Sequence, residues 1–115
     1  MAYMLLILEP HGQRAARTQE QGEAVYQRML DFAGDLKRKG VLLGVNSLKR
    51  DAVRLKSQAG RADVLDGPFT EAKELIGGYF LLDVGSRDEA LLYARDCPAA
   101  EWATIEVRET GPCFA

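Results

Sequence analysis

The period of apolar and polar positions changes several times along the chain, and each change marks an element. Tyr3 to Glu9 is a short apolar run closed by Pro10, His11 and Gly12. It predicts a first strand buried on at least one face, followed by a polar loop over 10–17. Thr18 with Gln21 three residues on forms a capping box, and Val25, Met29, Phe32 and Leu36 then recur at helical spacing, widened by Tyr26, Leu30 and Ala33. Lys37-Arg38-Lys39 and Gly40 close this helix with a cationic last turn and a glycine cap. Its broad apolar face needs a sheet to cover.

Val41 to Leu48 predicts a second strand. Residues 52–57 and 61–65 alternate, with Val53 and Leu55 against Arg54 and Lys56, and Ala62 and Val64 against Arg61 and Asp63. Joined by Ala59-Gly60, they predict a hairpin with one wet face. Asp66-Gly67-Pro68-Phe69 punctuates the chain; 70–75 has room for one helical turn, ended by Gly77-Gly78. Tyr79 to Val84 is strand-like. Ser86 and Glu89 form a second capping box that opens another helix, which Pro98 stops, and Thr104 to Glu109 alternates as a last strand. The order is β-α-β-(β-β)-β-α-β. Without the hairpin it is the split βαβ pattern of a ferredoxin-like α+β sandwich. Two helices cover one face of such a sheet, so a second copy of the chain is the simplest cover for the other.

Composition narrows the function classes. The 115 residues are 47% hydrophobic and 28% charged, which fits one globular domain over 1–115 and excludes a disordered chain. Fifteen Lys+Arg against seventeen Asp+Glu, interspersed, leave no basic stripe, so no nucleic-acid partner is expected. The apolar run Met4 to Leu8 is too short for a signal core or a membrane span, so a cytoplasmic protein with no membrane partner is expected. Cys97 and Cys113 form no CxxC pair, and the single histidine, His11, cannot complete a usual zinc set. Two free thiols are expected rather than a disulfide, with no metal or cofactor. No glycine pattern matches a nucleotide-binding loop.

The run Asp66-Gly67-Pro68-Phe69-Thr70-Glu71-Ala72-Lys73-Glu74, then Gly77-Gly78-Tyr79, resembles the signature of the DGPF branch of the YCII-related family. Tyr3-Met4-Leu5-Leu6-Ile7 is similar to that family's first strand, and Cys97-Pro98-Ala99-Ala100 with Glu106-Val107-Arg108 to its close; Glu109 stands where the family usually has proline. The resemblance implies a ferredoxin-like sandwich that dimerises into an α/β barrel. It implies no settled activity. Related YCII-type proteins include a dehydrochlorinase, with a His-Asp pair in the pocket. Neighbouring sigma-factor genes in the DGPF branch imply a regulatory binding module as another class.

Each candidate residue has a plain structural role beside its chemical one. Asp66-Gly67-Pro68 is a hinge by turn chemistry, or holds Asp66 at a pocket mouth as a base. Glu71 and Glu74 share a face of a helical turn and are solvated, or rim a pocket; Lys73 would become a base if desolvated. Tyr79, Leu81 and Asp83 share a strand face, and Glu106 and Arg108 point away from the helices, as an ion pair at a dimer seam or with Arg108 as an anchor for an anionic substrate. The expectation is a homodimer with a small-molecule pocket between sheet and motif. The enzymatic alternative is a cofactor-free isomerase, dehydrochlorinase or lyase. It draws acid–base groups from Glu9, His11, Asp66, Asp83 and Arg108, with His11, Asp66 and Asp83 as the catalytic candidates and Glu9, Lys73, Glu74, Tyr79 and Arg108 as substrate contacts.

Overall fold

A computed structural model describes residues 2–67, 69 and 72–115. Six strands and two helices appear in the order β1 (Tyr3–Pro10), α1 (Gln19–Arg38), β2 (Leu42–Ser47), β3 (Val53–Gln58), β4 (Arg61–Asp66), β5 (Glu74–Leu82), α2 (Arg87–Asp96) and β6 (Thr104–Glu109), with a 3-10 turn over Pro98–Glu101. The main sheet runs β2-β5-β1-β6, antiparallel throughout. Sequence neighbours are split by an intervening strand, which is compatible with a ferredoxin-like α+β fold.

Local chemistry sets the helix ends. The Thr18 hydroxyl accepts from the Gln21 amide at 3.1 Å, and the Gln21 side chain accepts from the Thr18 amide at 2.9 Å. Ser86 caps α2 by accepting from the Glu89 amide, but the Glu89 carboxylate turns to the Gly85 amide, so only half of the second box closes. Gly40, at φ +74°, takes the left-handed turn that ends α1.

Both helices lie on one face of the sheet. Tyr3, Leu5 and Ile7 of β1 face them and pack with Phe32 and Leu36 of α1, Phe80 and Leu82 of β5, and Ala90 and Ala94 of α2. Phe32 and Phe80 meet edge to face, with ring centres 5.2 Å apart. Cys97 is buried and Cys113 exposed; both are free thiols. Met4, Leu6 and Leu8 point the other way, where no helix covers them.

Two expectations change. Gly77-Gly78 does not end a helical turn: β5 begins at Glu74 and runs through both glycines. Pairing with β1 carries the strand back past the glycines, and Gly77 is the extra residue where the register shifts between Ile7 and Leu8. Pro68, Thr70 and Glu71 lie outside the described residues; of the rest of the expected turn, Ala72 and Lys73 are irregular and Glu74 and Leu75 already belong to β5. The hairpin forms, with the two left-handed residues Ala59 and Gly60 at its tip, but both faces are wet. The alternation is present; among the described residues nothing packs on its apolar side.

The hairpin and the open sheet face leave the chain extended. Its radius of gyration is 16.0 Å, against about 13 Å for a compact domain of this length. Its accessible surface is 8223 Å², against about 6,200 Å² for a compact monomer of its mass.

Candidate functional site

Glu9 is the buried charge of the core, 5% exposed at the end of the inward face of β1. A carboxylate placed there needs a cation. Arg14, from the loop after β1, supplies it: its Nε lies 2.6 Å from Glu9 Oε1. No donor is aligned on that oxygen, so the contact is an ion pair rather than a directed hydrogen bond. The rest of the guanidinium donates to the Leu48 carbonyl at 2.6 Å and the Gly77 carbonyl at 3.2 Å. One side chain thus ties the loop, the exit of β2 and the bulge of β5 around the carboxylate.

The pair sits in the wall of a cavity of about 480 Å³ between α1 and the sheet. Its origin is in the side-chain pattern. Phe32 and Leu36 seat the C-terminal half of α1 on the sheet, whereas Val25 and Met29 are half-buried and Tyr26 and Leu30 exposed. Below that N-terminal half, Gly77 and Gly78 leave the floor bare. A Cβ on Gly77 would stand 2.7 Å from Glu9 Oε2, and one on Gly78 would stand 2.7 Å from the Asn46 carbonyl. The walls are mainly apolar, from Val25, Met29 and Ala33 to Val45 and Phe80. At one end stands Trp102, with Arg17 and Arg28 over its ring at 5.7 and 5.4 Å. Gln13 fixes that corner by donating to the Trp102 carbonyl at 2.7 Å.

This constellation decides where the chain's chemistry can lie, and the comparisons decide its kinship. The family model of the YCII-related domain matches residues 1–112. The chain belongs to the YCII-related family. An uncharacterized protein of Rhizobium meliloti is 35% identical over 116 residues, covering 94% of this chain and 90% of that protein. The resemblance carried by the Asp66–Tyr79 motif is therefore one of descent along the whole domain.

Of the residues singled out from the sequence, Glu9 lines the cavity with a buried side chain. Tyr79 also borders it, but the register opposite Leu6 turns its side chain to the open face, where its hydroxyl accepts from Asn46 Nδ2 at 2.9 Å. His11 is exposed just beyond β1, where its amide donates to the Lys73 carbonyl at 2.9 Å; Lys73 and Glu74 are exposed at the same end of the sheet. Asp66 is exposed at the foot of the hairpin, opposite Val53. Asp83 is exposed past the far end of β5. Arg108 lies opposite Met4 on the open face, two residues from Glu106; both are exposed and no ion pair joins them. The structure therefore brings His11, Lys73 and Glu74 together and separates them from Asp83 and Arg108. None of these five, nor Asp66, lines the cavity.

Sequence reasoning missed Arg14, placed in a polar loop, and the glycine floor, read as a helix stop. The available signal was Glu9 itself: a carboxylate on an apolar strand face demands a nearby cation. Among the described residues, no three of His, Cys, Asp and Glu gather closely enough to hold a metal ion.

Proposed function

We propose that this YCII-related protein is a homodimer that binds a small, mainly apolar molecule in the cavity beneath α1. The cavity carries the proposal: about 480 Å³ falls within the roughly 300–1,000 Å³ of ligand pockets, and its apolar wall ends in a few polar groups. Glu9 offers an acceptor and Arg14 a donor side by side. This suits a ligand whose apolar body ends in a hydroxyl or carbonyl group. The dimer is supported by the open sheet face, where Leu6 and Leu8 of β1 and Leu81 of β5 lack a helix to cover them.

A second reading, cofactor-free acid–base chemistry of the isomerase, dehydrochlorinase or lyase kind, is favoured by the placement of Glu9. A carboxylate set in an apolar cavity wall is where a general base would be held. This reading takes Glu9 as the base, supported by its place in the cavity wall, which His11, Asp66 and Asp83 do not line.

Titration with 8-anilinonaphthalene-1-sulfonate, followed by its fluorescence, tests the cavity. Saturable binding at one site per chain is expected. Gly22→Phe should weaken it at least tenfold, because Gly22 borders the cavity and open space surrounds the position of its missing Cβ. Absence of saturation, or equal binding by the variant, would refute the proposal.

A further inference from the structure

The hairpin β3–β4 is the largest feature that the rest of the chain leaves unused. Its pairing register places Val53, Leu55, Ser57, Ala62 and Val64 on one face, with Asp66 at its root, and Arg54, Lys56, Gln58, Arg61 and Asp63 with Leu65 on the other. The charged face has work within the chain: the Arg54 guanidinium lies 3.8 Å from the centre of the Phe69 ring. Among the described residues, the apolar face has none. Val53, Leu55 and Val64 are 66%, 65% and 59% exposed. A lone two-stranded hairpin is marginal in water, yet this one keeps six cross-strand pairs from Val53–Asp66 to Gln58–Arg61.

The surface area says how much cover is missing. The chain exposes about 2,000 Å² more than a compact monomer of its mass. The open sheet face, four strands about 5 Å apart and some 20 Å long, is roughly 400 Å² in plan. That face is only part of the exposed surface: every residue of β3 and β4 is exposed as well. Two chains that each buried the excess would bury about 4,000 Å² together, within the range of obligate homodimers.

We infer that the hairpin is an arm that lays Val53, Leu55, Ala62 and Val64 on a second copy of this chain, with the partner's arm doing the same by two-fold symmetry. This rests on the dimer proposed above and specifies its second contact. A second copy is the occupant because the arm is continuous with the open sheet face. The chain leaves the sheet at Ser47 and Leu48 and returns at Glu74, and half-exposed Ile76 pairs with Leu8 on the open face at that same end. Leu48 is tied to the sheet there through its amide, which donates to the Gly77 carbonyl at 2.9 Å. A copy seated on the sheet face thus meets the root of the arm.

Sedimentation equilibrium on the full chain tests this. The unchanged protein should be a dimer at micromolar concentration. The double substitution L55T/V64T should raise the dimer Kd at least 100-fold with an unchanged far-ultraviolet spectrum, because threonine keeps the strand preference and adds no charge; K56T, on the charged face, should change it less than threefold. If the unchanged protein is a dimer and L55T/V64T dimerises equally well, the arm is refuted and the dimer stands. If the unchanged protein is a monomer throughout, both fail. Hydrogen exchange on the unchanged protein gives an independent reading: amides of β3 and β4 should exchange at least tenfold more slowly in the dimer than in dilute monomer, and equal rates would overturn the inference.

Discussion

Gly77→Ala probes the carboxylate pocket most directly. The added Cβ would stand 2.7 Å from Glu9 Oε2, 2.8 Å from its Cδ and 3.1 Å from Arg14 Nη2. No real Cβ tolerates the first two contacts, so the carboxylate must move. It is 5% exposed and ion-paired, so moving it strains the core and weakens a buried charge pair. Overpacking costs about 1–3 kcal/mol, and loss of a charged contact about as much. A fall in stability of about 3 kcal/mol is expected, or roughly 12 °C in Tm for a chain of this length. The decisive assay is a double-mutant cycle by urea denaturation at fixed protomer concentration, with Gly77→Ala, Glu9→Ala and the pair. In the Glu9→Ala background the methyl group enters vacated space, so its cost should fall by at least about 1 kcal/mol. An unchanged cost in that background, or a Gly77→Ala effect below about 0.5 kcal/mol, would refute the account of this site.

Further consequences can be measured separately. Thr18→Ala removes the hydroxyl that caps α1 and should cost about 1 kcal/mol in urea denaturation. Phe32→Ala empties a buried site and loses the edge-to-face contact with Phe80, for a cost of about 3–5 kcal/mol by the same measurement. Burial pushes the Cys97 thiol up to about 11, so its neutral form is favoured in the fold. Stability from this source should be complete below pH 9 and disappear between about 9 and 11, as the unfolded thiol ionises first. Urea midpoints of the unchanged protein and Cys97→Ala should therefore converge with rising pH. A thiol reagent at pH 8 should modify Cys113 quickly and Cys97 only after denaturation; two fast thiols would contradict the burial.

Much of the fold was legible because local rules decide it. The capping box at Thr18, the helical stripe from Val25 to Leu36 and the Ala59-Gly60 turn each act within a few residues. The split βαβ pattern followed from the alternation of elements. Gly77-Gly78 defeated the same rules. Two glycines are breakers by propensity, but pairing with β1 and β2 supplies the hydrogen bonds that hold them in a strand. Tertiary contact overrode local preference there, and it did so at the site.

By itself the sequence determined the family, the α+β class, the helix boundaries and the presence of a carboxylate at the end of an apolar first strand. These depend on period, on caps and on a long motif, which are properties of neighbouring residues. Only the tertiary structure decided what Glu9 meets, because Arg14 reaches it across a loop that has no periodicity to read. It alone showed that a cavity opens where glycines underlie a half-seated helix, since that depends on the fit of two surfaces distant in sequence. It also left the apolar face of the hairpin bare: alternation tells which side is apolar, and only packing tells whether anything lies against it.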